Sequence, residues 1–85
     1  MKNFDRVTSV LFELSGNENI ELNHSLQNDL GLDSLQMVTL LVMIEDTFEI
    51  VLDEADMNPF DLTTVLDVVN LTEKYIHGED NEENR

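Results

Sequence analysis

Asp29-Leu30-Gly31-Leu32-Asp33-Ser34-Leu35 leads directly into Gln36–Phe48, an almost uninterrupted helical pattern. Gly31 can take a positive φ, so the chain can bend sharply just before that pattern begins. Asp33 is a good N-cap, and Gln36 falls three residues later, where the partner of a capping box belongs. With Asp33 as the cap, Ser34 takes the first helical position and its hydroxyl is not consumed. Free backbone N–H groups and the helix dipole favour negative charge at such an end, which makes Ser34 a suitable place for a phosphodiester.

Working outward, Phe4, Val7, Leu11 and Leu14 recur at helical spacing, with Val10 and Phe12 widening the stripe, and Gly16 is a stop signal. The spacing predicts a first helix from about Asn3 to Ser15. Residues 16–33 form a long loop whose Asn17, Asn19, Asn23 and Asn28 supply turn chemistry, while Ile20, Leu22, Leu26, Leu30 and Leu32 can pin it to a core. Loops of that length in a small domain are uncommon and often functional. The second helix, Ser34–Phe48, is apolar nearly all round, with Val38, Leu40, Leu41, Ile44 and Phe48 sufficient to face the core. Leu35 and Met37 are then expected on an exposed apolar edge beside Ser34, and Met43 either joins that edge or is covered. A short third helix is expected over Asp53–Asn58, stopped by Pro59. Thr64 with Asp67 forms a capping-box-like start for the last helix, whose inward stripe is Val65, Val68, Val69, Thr72, Tyr75 and Ile76, with Gly78 as its end.

The turn and its flanking helices together resemble the modification motif of the acyl carrier and peptidyl carrier proteins. The resemblance runs from about Phe4 to Ile76 and includes Phe48 and Leu62-Thr63-Thr64-Val65. It implies an all-α fold, a small four-helix bundle with a long loop between the first and second helices, in a single carrier domain over residues 1–78. Residues 79–85 are then an acidic, disordered tail. It also implies that Ser34 carries covalent 4′-phosphopantetheine derived from coenzyme A, with Asp33 as motif residue and helix cap. The implied partners are a phosphopantetheinyl transferase, an acyl- or aminoacyl-loading ligase, and synthases or transferases with basic and apolar docking patches. Fatty-acid carriers usually place acids along the second helix soon after the serine, whereas Gln36 and Thr39 are neutral here. Carriers of polyketide, peptide and other specialised pathways often look like that.

Composition narrows the alternatives. The 85 residues make one domain, with nineteen Asp and Glu against four Lys and Arg, a formal charge of −15. Seventeen of the acids, but only Lys74 and Arg85 among the cations, lie from Gly16 onward. Such a surface repels nucleic acid and attracts basic patches on proteins. There is no cysteine, so any thiol chemistry must arrive on an added group. No apolar run approaches a membrane span and no signal-type core follows the N-terminus, so a cytoplasmic monomer is expected. The acids around Asp53–Asn58 lack the order and the glycine of a calcium loop, and no metal site is expected. Ser34 has no Gly-x-Ser-x-Gly setting, and His24 and His77 are the only histidines, so catalysis by the chain itself is not expected.

The competing reading is an unmodified acidic helical adaptor. It keeps Leu35, Met37 and Met43 as a docking patch and discards the serine, whereas in the carrier reading the expected partner-binding residues are those three together with the acids Glu45, Asp46 and Asp56.

Overall fold

The computed structural model describes the backbone of residues 2–83 and the side chains of residues 3–76. Among these residues there are three α-helices: α1 (Lys2–Ser15), α2 (Ser34–Phe48) and α3 (Val65–Glu83). No strand occurs among them, only an isolated antiparallel bridge between Ser25 and Thr64.

α1 buries Val7, Val10 and Leu11, with Phe4 and Leu14 packed alongside. It stops at Gly16, whose φ of +75° is the left-handed conformation that glycine adopts without a Cβ penalty. The Gly16 N–H donates to the carbonyl of Phe12 at 2.7 Å, closing the last turn. At the other end, the Arg6 guanidinium lies 5.2 Å from the centre of the Phe48 ring, joining α1 to the end of α2.

α2 presents Met37, Leu40, Leu41, Ile44 and Phe48 to the core, a spacing of i, i+3, i+4, i+7 and i+11. Here the structure corrects the expected orientation. Met37 is fully buried, whereas Val38 stands 48% exposed. The two positions are about 100° apart on the helix, so only one can lie at the centre of the core face. Met37 completes the stripe through Leu41, Ile44 and Phe48, and Val38 does not.

The expected third helix is replaced by two 3₁₀ turns, Glu54–Asp56 and Pro59–Asp61. Pro59 opens the second turn instead of stopping a helix. Its fixed φ suits a first helical position, where a missing N–H costs nothing, and Asn58 caps that turn by accepting from the Phe60 N–H at 3.1 Å. Among the described residues the bundle therefore has three α-helices, with the two 3₁₀ turns between α2 and α3.

α3 opens as its sequence indicates. Thr64 Oγ1 accepts from the Asp67 N–H at 3.3 Å, and Asp67 Oδ2 accepts from the N–H groups of Thr64 and Thr63 at 3.0 and 2.9 Å. Val65, Val68, Val69, Leu71 and Thr72 are buried, and the Thr72 hydroxyl donates to the Val69 carbonyl at 2.7 Å. The helix does not stop at Gly78 but continues to Glu83. A glycine within a helix costs only about 1 kcal/mol relative to alanine, and no proline follows to break the run. Of the tail expected to be disordered, residues 79–83 have helical backbone, and residues 84 and 85 lie outside the described residues.

Candidate functional site

The site is assembled from the loop upward. Ser25, Asn28 and Asp29 fold one tight turn: Asp29 Oδ2 accepts from the Ser25 N–H at 2.7 Å, and Ser25 Oγ accepts from the Asn28 N–H at 3.0 Å. Leu26, Leu30 and Leu32 are buried, at 0%, 6% and 3% exposure. Gly31, at φ +73°, lets the chain reverse between the last two so that both leucines point inward. The Leu32 N–H donates to the Leu26 carbonyl at 3.0 Å, and the Leu26 N–H donates to the Thr63 carbonyl at 2.9 Å. The turn that delivers Asp33 is thus fastened, through the loop, to the approach of α3. In return, the carbonyls of His24 and Leu22 accept from the N–H groups of Val65 and Leu66, each at 3.0 Å. They satisfy donors that the first turn of α3 cannot satisfy itself.

Asp33 caps α2 in the anticipated manner. Its φ and ψ are −87° and 179°, its Oδ1 accepts from the Gln36 N–H at 2.8 Å, and Gln36 Oε1 accepts from the Asp33 N–H at 3.1 Å. The capping box is complete without Ser34, whose side chain is exposed at the first position of the helix. The amides of Ser34 and Leu35 stand at the open, positive end of α2, where intrahelical partners do not exist. Gln36 has a further role that the sequence did not reveal. Its Nε2 donates to the Leu14 carbonyl at 2.9 Å, bringing the end of α1 against the start of α2.

The other serines are placed differently. Ser25 is half-buried and holds its turn, Ser15 donates to the Leu11 carbonyl at 2.7 Å, and Ser9 lies in mid-α1. Among the serines, the start of α2 sets Ser34 apart. There an exposed, uncommitted hydroxyl meets a helix end suited to a phosphate, on a turn held rigidly from behind.

The residues expected to meet partners separate into distinct groups. Leu35 is 75% exposed and Asp46 is exposed. Met37 belongs to the core, and Met43 is half-buried and packed against that core. Glu45 Oε2 accepts from the Leu52 N–H at 2.8 Å, so it holds the connector after α2. Asp56 accepts from the Tyr75 hydroxyl at 2.6 Å and from Lys74 Nζ at 3.0 and 3.2 Å. The side chains missed were Val38 and Val42, which are 48% and 55% exposed. With Leu35 they make a stripe at i, i+3 and i+7 that starts beside Ser34.

No group of His, Asp and Glu among the described residues could hold a metal ion, and no helix there is long and apolar enough to cross a membrane. Residues 5–72 match the family described as the phosphopantetheine attachment site. An acyl carrier protein of Phaeodactylum tricornutum (strain CCAP 1055/1) is 34% identical over 74 residues, covering 85% of this chain and 95% of that protein. The chain belongs to the phosphopantetheine-bearing family of acyl carrier proteins, which carry cargo rather than catalyse.

Proposed function

We propose that this chain holds an acyl intermediate as a thioester on 4′-phosphopantetheine attached at Ser34, and presents it to the enzymes of a fatty-acid or polyketide-type pathway. The observation that carries the assignment is the capping geometry: Asp33 and Gln36 complete the cap between themselves and leave the Ser34 hydroxyl free. When bound, the group supplies a terminal thiol on a flexible arm. Ser34 Oγ would provide the oxygen of the phosphodiester: as its bond to phosphorus forms, the pyrophosphate P–O bond of coenzyme A breaks, adenosine 3′,5′-bisphosphate leaves, and the hydroxyl proton passes to a base of the transferase. Asp33 and Gln36 fix the direction of that bond by fixing the first turn of α2. The similarity to an acyl carrier protein supports an acyl cargo over an aminoacyl one. Leu35, Val38 and Val42, together with Asp46, supply the surface that a phosphopantetheinyl transferase and the downstream enzymes would meet.

The test is intact mass after incubation with a phosphopantetheinyl transferase and coenzyme A. The wild-type chain should gain one phosphopantetheine and Ser34→Ala none, with both equally helical by circular dichroism. Modification of the folded Ser34→Ala chain, at Ser25 or elsewhere, would overturn the assignment.

A further inference from the structure

The connector between α2 and α3 is rooted in a second apolar cluster. Leu41, Leu52 and Leu71 are buried there, with Ile50, Leu62 and Tyr75 packed against them. Between Leu52 and Leu62, residues 53–58 make an excursion without a fully buried side chain. Apolar burial therefore does little to hold it. The restraints on it are polar and come from α3. The Asp53 N–H donates to Tyr75 Oη at 2.6 Å, and that hydroxyl donates to Asp56 Oδ2 at 2.6 Å. Lys74 Nζ donates to both oxygens of the same carboxylate. One hydroxyl thus grips the excursion twice, by its backbone and by its side chain. Lys74 is the only lysine or arginine between Gly16 and Asn84, so the pair is not readily replaced.

We propose that Tyr75, Asp56 and Lys74 form a latch that fastens residues 53–58 to α3, and that its release lets this excursion open by itself while α1, α2 and α3 stay folded. The inference does not depend on Ser34 and goes beyond the carrier reading. It makes Asp56 a positioning residue, turned toward its own chain, in place of a partner contact. The titration of the three groups agrees with their geometry. The hydrogen bond from Tyr75, followed by that from Lys74, holds Asp56 below the ordinary carboxylate value of 3.8. Burial and the bond to Asp56 raise Tyr75 above 10.0 against the opposing hydrogen bond from the Asp53 N–H, and the bond to Asp56 raises Lys74 above 10.5, with the Asp53 charge adding to the latter. The contribution of Asp56 is therefore lost as pH falls through its depressed folded value. Those of Tyr75 and Lys74 are lost as pH rises through their raised ones.

Amide hydrogen exchange tests the latch, with Tyr75→Phe keeping the ring and removing the hydroxyl. The amides of Asp53, Asp56 and Met57 should exchange about tenfold faster, the factor carried by one hydrogen bond of ordinary strength, while those of α1 and α2 keep their rates. Tyr75 is the only tyrosine and there is no tryptophan, so phenolate absorbance reports on it alone. In the wild type it should ionise above 10.0, and Asp56→Asn should bring it down toward that value. Unchanged exchange over residues 53–57, an equal acceleration in α1 and α2, or an unmoved phenol titration would each overturn the proposal.

Discussion

At the scale of single residues, the start of α2 shows how one side chain can serve the fold so that its neighbour can serve chemistry. Asp33 and Gln36 exchange two hydrogen bonds across Ser34 and take up none of its capacity. Asp33→Ala should therefore cost about 0.5–2 kcal/mol in stability, as lost N-caps do. It should slow attachment at Ser34 by more than partial unfolding explains, because the first turn loses its fixed direction and the transferase loses an adjacent carboxylate. The comparison requires modification rates measured under conditions where circular dichroism shows both proteins fully folded. Equal rates would confine Asp33 to a capping role. This residue-level arrangement was legible in the sequence because capping and glycine turns are local, set by residues within four positions of each other. The Gln36–Leu14 bond was not legible, since it joins residues 22 positions apart and depends on how α1 and α2 pack.

At the scale of elements, α2 shows why composition can name a helix without orienting it. An amphipathic helix declares its inner face by contrast with a polar outer one, and Leu35–Ile44 offers almost no contrast. The sequence pattern reads with Val38 inward and Met37 outward, and packing reverses the two. The two substitutions should now behave oppositely. Met37→Ala should lower stability by about 2–5 kcal/mol, the range for a large side chain removed from a core. Val38→Ala should leave the urea midpoint nearly unmoved yet weaken binding to a cognate synthase or transferase, persistently at high salt. Measuring urea midpoints and partner dissociation rates for both variants separates the roles, and weak binding by the Met37 variant alone would restore the earlier orientation. The short elements were legible only in part. Pro59 signals a boundary in either direction, and the choice between ending one helix and starting a 3₁₀ turn rested on the Asn58 cap and on the burial of Pro59. The end of α1 and the start of α3 posed no such difficulty, because Gly16 and the Thr64–Asp67 pair mark them by local chemistry, whereas Gly78 is a misleading stop signal that α3 runs through.

At the scale of the whole molecule, charge is placed against the interest of stability. Glu45 and Asp46 fall in the last turn of α2, and Glu49 caps it in the left-handed conformation, with φ +56°. Neither α2 nor α3 has a basic residue in its last turn, where the helix dipole would welcome one. With a formal charge of −15, the folded chain repels itself. Raising ionic strength from about 0.01 M to about 1 M shortens the screening length from about 30 Å to about 3 Å, so the protein should become more stable as salt is added. Association with a basic partner should slow over the same range. Thermal midpoints and stopped-flow association rates across a sodium chloride series would show the two trends diverging. A midpoint that fell with salt would mean that attractive pairs such as Lys74–Asp56 outweigh the repulsion.

The hydrogen bonds that tie the loop to the head of α3 also impose a sequence in time. Thr63 follows Ser34 by 29 residues, so during synthesis the serine emerges well before the segment that braces its turn. Until residues 63–66 arrive, Leu26 lacks its bond to Thr63, and the loop carbonyls of Leu22 and His24 have no helix to cap. A nascent chain, or a fragment ending before Leu62, therefore contains the whole motif without its brace. If Ser34 is the attachment site proposed above, this topology predicts an order of maturation: α3 docks first and loading follows, so a fragment ending before Leu62 should be modified more slowly than the full chain.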